Sequence, residues 1–236
     1  MEQSSTPTRL SGAVRDLASD VVSALGGGDP FRLSGKVTAH EPAGASGDPA
    51  LAAVRVLGAD VLLPAVLHHA PADRDDLAAF DRAVRAYPPP AGASPTSVWS
   101  HWAMRQTLMR LDASFDGAPA DHLEPDGTWL DDASWQFLTH QLAVLAPLAV
   151  PAGDCAVFRA ARRRPVDVAR GFVRAVRRRD WLQAAGAGRW LVLLDGVPDT
   201  LGLETGLEFV AQMGQDDPRV ALQVTAARLM RAGAPV

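Results

Sequence analysis

The sequence predicts an all-α protein, an irregular multi-helix bundle of about eight to ten helices, with one short β-hairpin near 31–40. Three observations predict it. A short polar residue stands directly before proline at Asp48-Pro49, Ser94-Pro95 and Asp217-Pro218. Such a pair starts a helix, because the polar side chain accepts an orphan backbone N–H and the proline has none to leave unsatisfied. Breakers at Pro88-Pro89-Pro90, Gly196-Val197-Pro198 and Gly214-Gln215-Asp216 cut the chain into helix-length pieces. Only Phe31-Arg32-Leu33, Ser34-Gly35 and Lys36-Val37-Thr38-Ala39-His40 carry a hairpin pattern.

Taken in order, helices are expected near 10–25, 49–69, 73–87, 95–111, 132–149, 165–180, 181–194, 199–213 and 218–231, with a shorter one near 154–163. Pro64 interrupts the second of these, since it cannot donate a backbone bond and crowds the carbonyl of Asp60 four residues earlier. That helix must kink or end and restart. The stretches 26–47 and 112–129 are rich in Gly and Pro and read as long connections. Residues 1–9 are expected to be a flexible N-terminus and 10–236 one α-helical domain, with 88–94 the one candidate point of subdivision. The helices flanking that point are too apolar to stand alone.

The 236 residues are 47% hydrophobic and 21% charged, which excludes a disordered chain. No apolar run approaches the roughly 18 residues of a membrane span, and no membrane partner is expected. A lone cysteine, Cys155, forms neither an internal disulfide nor a multi-cysteine zinc site, and the first nine residues lack a signal-peptide pattern. The expected location is the cytoplasm. Of 23 basic residues all but Lys36 are Arg, a bias expected of a GC-rich bacterial genome, so arginine arrangement informs more than arginine number. The arrangement is uneven. Residues 159–189 hold ten Arg against two Asp, a local +8 within a net −4, so the remainder carries −12.

The familiar catalytic motifs are absent. Ser34-Gly35-Lys36 lacks the earlier Gly and the following Ser or Thr of a phosphate loop, with Pro30 and Val37 in those places. None of the five Glu has His three residues later, and His-Glu-x-x-His does not occur, so no metal site is assigned. The nearest acidic cluster, His122-Leu123-Glu124 with Asp121 and Asp126, reads as a solvated turn. Cys155 reads as a small buried hydrophobe. No cofactor is assigned.

Individual positions nonetheless stand out. Asp60 is the only ionisable residue from Val56 to Leu67, and a buried carboxylate needs a partner. His68 shares the face of Leu57 and Val61 on an unbroken helix. His101 shares a face with Arg105 and Leu108. Asp60, His68 and His101 are thus the candidate catalytic residues, with Trp102, Trp135 and His140 as candidate pocket residues. On the helix near 165–180, Arg170, Arg174, Arg177 and Arg178 occupy one face while Val168, Phe172, Val173 and Val176 occupy the other. Arg162, Arg163 and Arg164 extend the positive region upstream.

Two functions are expected from this pattern. The first is a cytosolic interaction or accessory protein that binds an acidic protein, peptide or polyphosphate through the arginine face. Nucleic acid is a less favoured partner. The second is an all-α enzyme or small-molecule-binding protein with a pocket among Asp60, His68, His101, Trp102, Trp135 and His140. The first ranks higher because no acid–base pair, nucleophile or metal set is complete at readable spacing. Opposing the first is self-neutralisation, in which the arginine face is neutralised by the chain's own carboxylates, Glu204 and Glu208 among them.

Overall fold

A computed structural model describes residues 5–27, 32–37, 48–112, 114–115 and 123–233 of the chain. It is an all-α multi-helix fold, 70% helical and without strands among the described residues. The helices are α1 (Ser5–Leu25), α2 (Pro49–Leu57), α3 (Leu63–Leu67), α4 (Arg74–Ala86), α5 (Pro95–Leu111) and α6 (Trp135–Val144), followed by α7 (Ala156–Arg163), α8 (Pro165–Arg177), α9 (Trp181–Leu191), α10 (Leu203–Met213) and α11 (Pro218–Arg231).

The three Asp/Ser-Pro starts are realised as expected. Asp48 accepts from the Ala50 N–H, Ser94 from the Ser97 N–H and Asp217 from the Arg219 N–H, each with Pro in the first turn. The interrupted second helix ends at Leu57 and passes through a tight 3-10 segment, Gly58–Leu62, before restarting as α3 with Pro64 in its first turn. Proline there removes no needed donor.

One expectation is corrected and two others are refined. Residues 5–9 form the first turns of α1, where Pro7 is tolerated because first-turn amides have no intrahelical acceptor. The hairpin near 31–40 is not formed in its described part. The Leu33 carbonyl accepts from the Lys36 and Val37 N–H groups at 2.9 and 3.2 Å, so residues 32–37 wind into a turn. Residues 31 and 38–40 lie outside the described residues. Across the candidate point of subdivision near 88–94, one hydrophobic cluster holds Phe80 and Val84 before it and Met104 and Leu108 after it. Arg55 of α2 ties both sides, donating to the Tyr87 carbonyl at 3.2 Å and to Ser100 Oγ at 3.1 Å.

Two hydrophobic clusters organise the molecule. One gathers α1 to α4 with part of α5, and the other gathers α6 to α10 around α9. The segment Gly58–Leu62 and α11 serve both: Ala59 and Val224 join one cluster, Val61 and Leu222 the other. By length and composition Pro49–Leu67 does reach that of a membrane span, contrary to the sequence expectation, with a mean hydropathy of 1.9. Its apolar surface is spent on the core, as 67% of that window is buried within the fold.

Close helix approach sets the position of α8 and α9 against α6. A Cβ on Gly171 would lie 2.4 Å from the Cβ of Thr139, and one on Gly186 would lie 2.8 Å from the Ala143 carbonyl oxygen. Glycine at these two places brings α8 and α9 onto α6, which carries Trp135 and His140.

Candidate functional site

The exposed side of α8 forms a cleft and a smaller groove with α6 as their shared wall. The cleft, of about 540 Å³, is lined by the apolar Val166, Val173 and Leu201 and by Arg170, Arg174 and Arg177. Trp135 closes one side, with the guanidinium carbons of Arg170 and Arg174 at 5.2 and 5.6 Å from its ring centroid. At that distance the ring face attracts both cations and holds their planar heads over the cleft. The neighbouring groove, of about 300 Å³, shares Trp135 and Arg174 and adds His140, Arg178 and Asp180.

Local sequence explains this layout. Val168, Phe172 and Ala175 of α8 are buried, so the helical period turns Arg170, Arg177 and Arg178 outward and leaves Arg174 half-buried against Trp135. Ser134 caps α6 by accepting from the Phe137 N–H, which fixes Trp135 in the first turn. His140 lies on the same helix and donates from Nδ1 to Gln183 Oε1 at 3.2 Å.

The charge balance of the cleft decides its chemistry. Its lining contains no acidic residue. Arg170 lies 3.7 Å from Asp167, which is itself held more closely by Arg164 at 2.7 Å. Arg174, Arg177 and Arg178 have no carboxylate partner among the described residues. Glu204, one of the carboxylates that could neutralise this face, pairs with Arg231 instead. The upstream arginines do not extend the free surface. Arg163 pairs with Asp131, Arg164 donates to the Ala133 carbonyl at 2.6 Å, and Arg162 stacks over Phe158.

No protein family, curated protein or solved structure matches the chain.

Arg170, Arg174, Arg177, Arg178, Trp135 and His140 come together around the cleft and the groove. Asp60, His68 and His101 line neither of these, and among the described residues each has surroundings of its own. Asp60 is buried, accepting from Arg189 Nη1 and from Gln223 Nε2, each at 2.6 Å. His68 ends α3 and is exposed, because His69 takes a left-handed φ of 49° and turns the chain to solvent. His101 is half-buried and donates from Nε2 to the Val84 carbonyl at 3.2 Å, tying α5 to α4. Trp102 lines a different cavity, without any of these three.

The other motif residues have structural partners. Glu124 accepts from the Ala156 N–H at the start of α7 and pairs with Arg159 at 3.1 Å. Asp126 accepts from the Thr128 N–H and hydroxyl, which hold its carboxyl below the ordinary value. Asp121 and His122 lie outside the described residues. Cys155 is buried, and that burial pushes its thiol above the ordinary value, so it is not a stabilised thiolate. Among the described residues no three His, Cys, Asp or Glu side chains gather to hold a metal ion.

Sequence reasoning missed Arg189, Gln223 and Thr139. Arg189 sits among surface arginines in sequence, and only the flanking Ala184 to Gly188, small and apolar throughout, marks that stretch as buried.

Proposed function

We propose that this chain is a cytoplasmic interaction protein that captures an acidic peptide segment of a partner protein in the cleft along α8. The observation that carries the reading is a cleft lined by three arginines and by Val166, Val173 and Leu201, with no carboxylate in its lining. Each half of that description selects the ligand. The guanidinium groups attract carboxylates and form charge-assisted hydrogen bonds to them. The apolar lining favours a ligand with apolar side chains between its charges, which a peptide has and a polyphosphate lacks. Val166 is 52% exposed, and covering it adds hydrophobic free energy to the ionic contacts. Trp135 contributes by holding Arg170 and Arg174 in place, so little side-chain freedom remains to be lost on binding.

The test is fluorescence anisotropy with a short labelled peptide of alternating Glu and Leu, set against one of Glu and Ser and against inorganic polyphosphate. The Glu/Leu peptide should bind tightest. In the double variant Arg174→Ala, Arg177→Ala its affinity should fall by roughly 2- to 25-fold, taking about 1.4- to 5-fold per lost exposed charge contact. The dependence on salt should flatten, and Tm should stay nearly unchanged because neither arginine has a carboxylate partner to lose. Unchanged peptide affinity in that variant would refute the reading. Tighter binding of polyphosphate than of the Glu/Leu peptide would refute its peptide specificity.

A further inference from the structure

The residues that α8 contributes to the cleft are Val166, Ala169, Arg170, Val173, Arg174 and Arg177. Counted from the first, they stand at i, i+3, i+4, i+7, i+8 and i+11, the pattern of a helix face that packs against another helix. They also form two consecutive diamonds, Val166 with Ala169, Arg170 and Val173, then Arg170 with Val173, Arg174 and Arg177. A diamond of that spacing is the hole into which one side chain of a facing helix inserts. Inside the fold, α8 packs through other residues: Gly171 faces Thr139 of α6, and Phe172 lies beside Gly188 of α9 and Gly206 of α10. Val166 stays 52% exposed, so no helix of the described chain covers this face.

The spacing of the charges selects the same occupant. At about 1.5 Å of rise per residue, Arg170, Arg174 and Arg177 span about 10.5 Å of the helix axis. An extended peptide returns to the same face every ~6.8 Å, so it sets two carboxylates against that span. A helix sets three, at the intervals of the arginines themselves. Asp167, the one carboxylate on α8, is held by Arg164 at 2.7 Å and does not line the cleft, so the arginine charge is left for a ligand.

The geometry points to an amphipathic helix of the partner protein as the occupant, an inference that rests on the acidic-segment reading of the same cleft. Apolar side chains of that helix enter the two holes, and Glu or Asp on its flank meets Arg170, Arg174 and Arg177. Carboxylates at i and i+4 repel one another in the free segment and weaken its helix. The arginines remove that repulsion, so the segment gains helix as it docks.

The experiment uses the full chain and labelled peptides of one composition in Glu, Leu and Ala. One places Leu at j, j+4 and j+7 with Glu on both flanking stripes, and a second alternates Glu and Leu. A third bridges the helical-order peptide by a side-chain cross-link on its far face, and a fourth replaces a central Ala by Pro. The helical order should bind roughly 10-fold tighter than the alternating one, and the bridged form tighter still because it is ordered before binding. Proline should lower affinity at least about 10-fold. Circular dichroism should record helix gained when the unbridged helical-order peptide meets the protein. Equal affinity of the two orders, or a loss of affinity on bridging, would overturn the inference. If peptides of both orders then still lose affinity in Arg174→Ala, Arg177→Ala, the acidic-segment reading stands without it. If no peptide binds, that reading falls and the helical occupant falls with it.

Discussion

Replacing Asp60 by Leu should be among the most destabilising single changes in the molecule. Arg189 is completely buried, at 0% side-chain exposure, and Asp60 is at 2%. The guanidinium donates Nε–H to the Ala149 carbonyl at 3.0 Å, and Nη1–H both to Asp60 Oδ1 and to Gln223 Oε1. Gln223 closes the triangle by donating to Asp60 Oδ2. Arg189 Nη2 is buried with no partner among the described residues, so the cation is incompletely satisfied there. Removing the carboxylate leaves that charge uncompensated and strips Gln223 of its acceptor. Breaking a buried pair in this way costs about 3–5 kcal/mol. For a chain of this size each kcal/mol shifts Tm by roughly 2–4 °C, so the expected fall is about 6–20 °C. Urea denaturation and calorimetry at pH 7 measure both quantities. The double variant Asp60→Leu, Arg189→Met removes the two charges together and should recover at least about 2 kcal/mol of the loss, because an apolar pair avoids the desolvation cost of the ions. A loss below about 1 kcal/mol in Asp60→Leu would refute the reasoning. So would a double variant whose loss equals the sum of the single losses.

Gly171→Ala should destabilise by about 1–3 kcal/mol despite its better helix propensity, because its Cβ would overlap the branched Thr139 side chain, which is held by its hydroxyl donating to the Trp135 carbonyl at 2.7 Å. The further change Thr139→Gly should relieve that overlap, as thermal melts of the single and double variants would record. Asp217→Asn should remove part of the protein's acid sensitivity. Burial pushes the Asp217 carboxyl upward, but hydrogen bonds from the Arg219 side chain and N–H, with the Arg219 charge, outweigh it and hold the carboxyl below the ordinary value. A carboxylate held low stabilises the fold above its unfolded pKa and ceases to do so as pH falls through its folded one. The stability gap between wild type and Asp217→Asn should therefore be widest near neutrality and close in acid, as read by urea denaturation across that range.

Local chemistry was legible where a few adjacent residues decide the outcome. Asp48-Pro49, Ser94-Pro95 and Asp217-Pro218 start helices because cap and proline act within one turn. Pro64 ends one helix and permits the next for the same reason. The outward arginine face of α8 follows from a 3.6-residue period with Phe172 and Val168 inside. The sequence also marked Asp60 as a carboxylate in need of a partner, a demand set by desolvation alone.

The identity of that partner is a tertiary fact. Arg189 lies 129 positions away in a run dense with surface arginines, and only the packing of α9 against α11, which brings Arg189 and Gln223 to Asp60, places its charge inside. The histidines show the reverse case. Helical periodicity aligns His68 with Leu57 and Val61 and His101 with Leu108, yet a left-handed turn at His69 leaves the one exposed and a carbonyl on α4 engages the other. The α8 cleft needed both levels. The arginine period is local, but Trp135 reaches Arg170 and Arg174 only because Gly171 and Gly186 let α8 and α9 close onto α6. Caps and periods depend on neighbours a few residues apart, so the chain alone determines them. Charge pairing and cavities depend on which distant surfaces exclude water from one another, and that is decided only when the helices pack.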